Sequence, residues 1–287
     1  QVLVLVAVLH ITESILIVLS GKYGTMPVIL RRGDGELVGA FNLQNFWPLP
    51  LILMSAVAVP EVNLSPGMLS MPEWWPILPV AQAAPAGHQW MYAMIPVVAA
   101  LGYTDLAIGS SPKMRRRKSA MYLGTYSLVL LTLALLSVQH TWLQLVAALL
   151  SPLGHELLIQ LDIRKELEGA ALYVPPSKGV MILDTVIDSP AYKAALQPGD
   201  ILLKFDGLLV DSPNQLAMAL EAVSEKFILE YMRNGRLRQQ KVSLEKGKTM
   251  LGVILVPSGN EVQYIQLTED KFLLWEWCKE FMGKNKY

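Results

Sequence analysis

The residues best suited to chemistry are four ionisable side chains inside apolar stretches: His10, Glu13, His155 and Glu156. A zinc peptidase of the His-Glu-x-x-His type places two imidazoles four residues apart, so that both ligands and the basic carboxylate share one helix face. Ile159 occupies the second imidazole position after His155, and no imidazole follows His10 at that spacing. The alternative is a zinc site assembled across helices from the four residues. Because the spacing argues against it, we predict no metal site.

Serine-based catalysis is also unsupported by the sequence. No Gly-x-Ser-x-Gly turn, which would expose a nucleophilic serine, occurs in the chain. A nucleophile would also need a positioned base and an orienting carboxylate. We therefore predict that the protein is not an enzyme, has no catalytic residues and uses no cofactor.

The composition indicates a membrane protein. Hydrophobic residues make up 53% of the 287 residues and charged residues 17%, with zero formal net charge. The mean hydropathy is +0.38. Soluble domains carry nearer a quarter charged residues. The single cysteine, Cys278, excludes an intrachain disulfide framework. The one dense basic run, 113–118, has no interleaved aromatic residue, so we predict no nucleic-acid partner.

The apolar stretches predict about five membrane-spanning helices, since a helix needs about 20 apolar residues to cross a bilayer. They are residues 2–19, 46–60, 90–109, 120–138 and 141–161. The second is interrupted by Pro48, Pro50 and Pro60, so a re-entrant segment is the alternative. We assign 1–165 to a multi-pass region, and we expect helices upstream of Gln1 because the chain opens inside an apolar run.

His10 and Glu13 stand three residues apart in the first of these stretches, where ionisable groups are costly and mark a function or a pairing. We expect them to pair with other helices, for example with His155 or Asp105, and to hold the bundle together. Proton or ion conduction is the alternative. A transporter would also need paired broken helices, and only the proline-interrupted second stretch resembles one.

The basic run 113–118 predicts the orientation of the chain. Short loops rich in Lys and Arg stay on the cytoplasmic side. We read this run as a cytoplasmic loop, and two further crossings then return the chain to the same side near Asp162. The module that follows is therefore predicted to be cytoplasmic.

From Gly179 onward the pattern changes to that of a small soluble module, which we place at 166–257. We predict strands at 180–183 and 201–205, a short helix at 191–195, and a hairpin at Asp206-Gly207. A longer helix starts at the N-cap Ser212 with Pro213 in its first position and Gln215 closing a capping box. Two alternating strands, 227–232 and 237–244, flank an Asn-Gly turn.

This order of elements resembles a bacterial PDZ domain. The resemblance rests on Gly179–Val186, Ser189-Pro190-Ala191, Ala194–Leu196, Pro198–Leu202 and Asp206-Gly207. The fold class is therefore a polytopic α-helical membrane region plus a small α+β, β-rich PDZ-like domain of the permuted bacterial type. In that family a partner's extended peptide adds a strand to a sheet edge beside the longer helix.

Two segments compete for the peptide-binding strand that the PDZ resemblance implies. One is Leu172-Tyr173-Val174, before the first clear strand. The other is Leu251-Gly252-Val253-Ile254, after the last one, which we favour because membrane-linked bacterial versions resemble circular permutants. Leu216 and Leu220 would then face the peptide from the helix. The competing interpretation is that 251–256 only closes the sheet.

Several segments together resemble the MinJ family of Gram-positive bacteria. They are His10–Ser14, Phe46–Pro50, Gly102–Ile108, the basic run and the single PDZ-like module. The resemblance implies a non-enzymatic adaptor in the cell membrane, enriched at septum or poles, that links the pole-marking protein DivIVA to the MinD and MinC inhibitor. The alternative is a membrane-associated protease, or a protease cofactor whose PDZ domain recruits substrates.

The residues after the module, 258–287, are interpreted as a tail with an amphipathic helix at 271–279. Such a helix would pack on the module or lie on the bilayer.

Overall fold

The computed structural model describes residues 2–61, 71–72, 74–76, 80, 82–244, 250–259 and 263–266. The predicted tail helix at 271–279 lies outside this part of the chain. The chain divides into two compact units: the first comprises 1–23, 44–104 and 116–161, and the second comprises 24–43, 105–115 and 162–287. The proposed boundaries at 165 and 257 stay predictions.

Five helices and ten strands make up the described chain. In order they are α1 Val2–Leu19, β1 Thr25–Arg31, β2 Leu37–Pro60, β3 His88–Ala107, α2 Pro112–Leu136, α3 Thr141–Glu168, β4 Val180–Thr185, α4 Pro190–Lys193, β5 Ile201–Phe205, β6 Leu208–Leu209, α5 Pro213–Ala222, β7 Lys226–Arg233, β8 Arg236–Ser243, β9 Val253–Leu255 and β10 Ile265–Gln266.

Three helices, α1, α2 and α3, are long and apolar enough to cross a membrane by length and composition. The helices predicted at 2–19, 120–138 and 141–161 are thereby confirmed as helices. The prediction of helices at 46–60 and 90–109 is wrong, because both segments lie in the long strands β2 and β3. Of the five predicted membrane-spanning helices, three are therefore present as helices in the described chain.

Prolines disfavour a helix in the segment that forms β2. A proline in a helix interior removes a hydrogen bond and clashes with the preceding turn, and β2 contains Pro48 and Pro50. Within β2, only Leu37–Leu43 pair with β1. Beyond Leu43 one side of β2 has no strand neighbour among the described residues, so prolines can be accommodated as on an edge strand.

The helices of the first unit meet through polar contacts. The His10 ring stacks on His155 with 4.9 Å between centroids, and His10 Nδ1 lies 3.1 Å from a Glu13 carboxylate oxygen. The Ser14 hydroxyl donates to the Ala120 carbonyl at 2.7 Å. The expected pairing of His10 with His155 is confirmed. Asp105 pairs elsewhere.

The basic run 113–118 is part of α2 and not a loop, which corrects our reading of it. Within the second unit, the buried Arg115 guanidinium lies 2.7 Å from Asp105, 2.9 Å from Asp162 and 3.5 Å from Glu166. One Glu166 oxygen also accepts from the amides of Ile108 and Gly109, both at 2.9 Å. This cluster joins the end of β3, the start of α2 and the end of α3.

Replacing Arg115 with methionine is expected to destabilise the protein strongly, because three buried carboxylates would lose their shared cation. Removing one partner of a buried ion cluster costs about 3 kcal/mol or more, which lowers the Tm of a chain of this size by about 6 °C or more. Thermal unfolding in detergent measures the change. Arg117→Met is the control, since Arg117 lies two residues further along α2 and is exposed. Equal shifts for the two variants would contradict the role of the cluster.

The second unit contains a module whose six-stranded sheet has the order β8-β7-β5-β4-β9, with β6 paired to β5. Every element predicted between 180 and 244 is present. Ser212 caps α5 by accepting from the Gln215 amide at 3.2 Å. The capping box differs in one detail, because the Gln215 side chain accepts from the Asp211 amide at 2.7 Å and not from Ser212.

The core of the module is self-contained. Its buried members come from β4, β5, β7, α5 and the segment before β9, and they include Ile182, Leu202, Phe205, Leu216, Leu229 and Leu251. Asp200, in the Pro-Gly-Asp turn, is 1% exposed. Its carboxylate accepts from Arg233 Nε at 2.7 Å and Nη2 at 2.6 Å. This pair ties the turn before β5 to the end of β7.

Candidate functional site

The strand β9 forms one edge of the six-stranded sheet. It runs antiparallel to β4, with Thr185 opposite Val253 and Ile182 opposite Leu255. β9 is the terminal strand in the sheet order, so its other side has no strand neighbour in the described chain. An extended peptide can add to such an edge through main-chain hydrogen bonds.

The turn that leads into β9 depends on a glycine. Gly252 has φ +76°, a left-handed conformation that favours glycine. Its carbonyl accepts from the Val186 amide at 2.9 Å and from the Ser189 hydroxyl at 3.2 Å. A Cβ at this position would stand 2.2 Å from the Ser189 Cβ. The Gly252 carbonyl is therefore bonded to the segment between β4 and α4, and the chain then enters β9.

The carbonyls and the amides of this turn differ in their hydrogen bonding. The Leu251 carbonyl accepts from the Ala191 amide at 3.0 Å. Within the described ranges, no group accepts a hydrogen bond from the amide of Leu251 or of Gly252. Successive backbone amides of this kind form a concavity suited to an anion such as a peptide carboxylate.

Ser189 is a site residue that the sequence interpretation missed. In the sequence it stands out only as part of the Ser189-Pro190-Ala191 segment of the PDZ resemblance. In the structure it caps α4 by accepting from the Tyr192 amide at 3.2 Å, and its hydroxyl also holds the Gly252 carbonyl. The Ser-Pro pair signals the cap, but no local pattern reveals a contact with a residue 63 positions away.

Replacing Ser189 with alanine is expected to weaken peptide capture by roughly fivefold. The substitution removes one hydrogen bond that fixes the Gly252 turn, and such a bond contributes about 1 kcal/mol. Binding of a selected peptide to the full chain, measured by fluorescence anisotropy, checks the loss. Ser189→Thr keeps the hydroxyl and should retain most of the affinity. An unchanged dissociation constant for the alanine variant would contradict the role of Ser189.

The apolar residues predicted to face the peptide lie deeper than expected. Leu216 and Leu220 of α5 are buried in the same cluster as Leu251, and Val253 and Leu255 pack against that cluster. The two leucines can therefore form the floor of a groove along β9 but not an open wall. Ile254, on the alternate face of β9, is 39% exposed. Their contact with a ligand stays a prediction.

Tyr173, also among the predicted peptide-binding residues, is buried. Its ring packs edge-on against Phe41 with 5.3 Å between centroids. Its carbonyl accepts from the Gly39 amide at 2.9 Å. Burial, with a smaller contribution from the Asp184 charge, raises the pKa of the phenol to about 12. Tyr173 is thus a packing residue between β2 and the module, and its contact with a peptide stays a prediction.

The ionisable residues considered for catalysis do not form a metal centre in the described part of the chain. No group of three or more His, Cys, Asp or Glu side chains there is arranged to hold a metal ion. Glu156 accepts from the Gln160 side chain at 2.9 Å. His10 and His155 stack on each other, as described above.

Comparisons with known proteins show what the chain is similar to. A family model described as PDZ domain matches residues 182–233. The cell division topological determinant MinJ of Bacillus subtilis (strain 168) is 26% identical over 265 residues, covering 91% of this chain. The chain spans 62% of the length of that relative. The crystal structure of the PDZ domain of an SdrC-like protein from Listeria monocytogenes is 20% identical, with a TM-score of 0.25, and the match covers 28% of this chain and 90% of that one.

Proposed function

We propose, from the premise that the chain is a MinJ-like protein with a PDZ domain, that it is a membrane-held adaptor for protein partners. A partner's extended peptide adds to the open side of β9 and its carboxylate meets the amides at Gly252. The observation that carries this proposal is the edge strand β9 preceded by a left-handed glycine.

The biological setting of the proposal comes from the similarity to MinJ, which is named a cell division topological determinant. We place the chain in division-site selection, with DivIVA-like and MinD-like proteins as its partners. α1, α2 and α3 would anchor it in a multi-pass arrangement, with the PDZ domain in the cytoplasm and enrichment at septum or poles. Confinement to the membrane raises the effective concentration of partners that are also membrane-bound.

We also propose that the protein breaks no covalent bond in its partners. His155 lacks a second imidazole four residues on, and the His10–His155 pair is used in helix contact. The adaptor therefore acts by recruitment alone. A protease would instead depend on a carboxylate such as Glu13 or Glu156.

Site-specific photo-crosslinking tests the proposal. The full chain is expressed in a Gram-positive host with p-benzoylphenylalanine in place of Ile254, which lies on β9 and is 39% exposed. The matched control carries the same group in place of Leu208, 49% exposed on β6. We expect adducts with division proteins from position 254 and few from position 208.

Two results would contradict the proposal. Adducts of equal yield from both positions would show that β9 is not the contact. Loss of function in Glu13→Gln or Glu156→Gln with unchanged localisation and unchanged adducts would favour a protease.

A further inference from the structure

We propose that the edge strand β8, at the opposite end of the sheet from β9, docks the PDZ domain edge-on against an anionic lipid leaflet. This surface is separate from the groove at β9, and its role does not depend on which peptide the groove binds. β8 is basic, it has exposed apolar residues beside it, and its domain is tethered to the candidate membrane helices.

The charge of β8 has a single sign. The strand contains three basic residues, Arg236, Arg238 and Lys241, and no acidic residue, and all its residues except Val242 are exposed. Lys226 at the start of β7 is also exposed. Within the described chain none of these four cations forms an ion pair. The nearby Glu230 is engaged by Lys204 at 3.3 Å and by Gln239 at 3.0 Å.

When the edge of β8 approaches a lipid leaflet, cations on both faces of the sheet reach the leaflet. Neighbouring side chains of a strand alternate between faces, so Arg236 and Arg238 lie on one face of β8 and Lys241 on the other. The register places Ile228 opposite Lys241 and Met232 opposite Leu237. Ile228 is 43% exposed and Leu237 63%. Cations flanking exposed aliphatic side chains are the combination that binds at a headgroup interface.

The lipid leaflet is favoured over an acidic protein because the chain itself supplies proximity. Glu168 ends a helix apolar enough to span a membrane, and Val180 begins the first strand of the PDZ domain. The connecting residues span at most about 40 Å even when fully extended. Each Lys or Arg at an anionic surface raises the ratio of docked to free PDZ domain about fivefold. An acidic protein would have to be brought to β8 by a separate interaction before it could compete with the lipid.

Hydrogen exchange of the full chain in nanodiscs tests the proposal. One set of discs contains phosphatidylcholine alone, and the other contains phosphatidylcholine with phosphatidylglycerol. We expect the outward amides of 236–243 to exchange more slowly only in the anionic discs, and the protection to fade as salt rises. Lys241→Gln should lower the docked-to-free ratio about fivefold, and the triple Gln variant of Arg236, Arg238 and Lys241 about a hundredfold.

Matched controls make the test decisive. Lys178→Gln removes one exposed positive charge elsewhere in the same unit and should leave the protection unchanged. Retained exchange protection of β5 shows that each variant is folded. Equal exchange of 236–243 in both lipids would overturn the proposal, and so would protection that appears only when an acidic protein is added. Capture of peptides at β9 should be unaffected in every variant, so failure here is distinct from failure of the adaptor function.

Discussion

Replacing Gly252 with alanine is expected to abolish peptide capture, with a loss of affinity of at least about a hundredfold. The new Cβ would lie 2.2 Å from the Ser189 Cβ and 2.7 Å from its hydroxyl oxygen. Non-glycine residues also pay about 1 kcal/mol for the left-handed conformation. The turn must therefore shift, and the amides that precede β9 shift with it. Binding of a selected peptide to the full chain in nanodiscs measures the loss.

The matched control separates backbone strain from steric displacement. Gly207 has φ +85°, and a Cβ there would meet no atom within 4 Å. Gly207→Ala should therefore cost about 1 kcal/mol of stability and leave peptide affinity unchanged. Exchange protection of β5 confirms that the Gly252 variant is folded. Normal affinity in a folded Gly252→Ala protein would remove the turn from the binding site.

Replacing Arg233 with methionine is expected to lower the free energy of unfolding of the PDZ domain by about 3 kcal/mol. The substitution leaves the Asp200 carboxylate, 1% exposed, without the guanidinium that binds both of its oxygens. Arg233 also donates to the Ala195 carbonyl at 2.8 Å. The strength of the pair is reflected in the pKa of Arg233, which hydrogen bonding to Asp200 raises. Native-state exchange of the β5 amides reports this free energy.

An exposed arginine on the same hairpin provides the comparison. Arg236 begins β8 and is exposed, so Arg236→Met should change stability by less than about 0.5 kcal/mol. Arg233→Lys should recover part of the loss, because an ammonium keeps the charge but not the two-point geometry. Similar losses for the two methionine variants would mean that the Asp200 pair contributes little.

The fold of the PDZ domain was predictable because its signals are local. The turn at Asn234-Gly235 and the cap at Ser212-Pro213 lie where their residues predict them, with φ of 51° and 72° at the Asn-Gly pair. The extended form of β2 and β3 was not predicted. A hydropathy pattern indicates an apolar environment, but the same apolar run can form a helix or a strand. Prolines such as Pro48 are the residues that favour the strand here.

The candidate site was predictable only in part, for a related reason. Leu251-Gly252 precedes a strand, so a short pattern suffices to propose the turn. The residues that hold the turn and the core are distant in sequence. Ser189 lies 63 positions from Gly252, and Asp200 lies 33 positions from Arg233. Such pairings arise from the sheet order, which the amino-acid sequence alone does not specify.

Exchange at β9 during peptide capture tests the central claim most directly. The full chain in nanodiscs is mixed with a peptide selected from a phage-displayed library of random C-terminal sequences. The amides of 253–255 should exchange more slowly with the peptide than without it, while those of 236–243 stay unchanged. Unaltered exchange at 253–255 despite demonstrated peptide binding would show that the partner strand does not add at this edge.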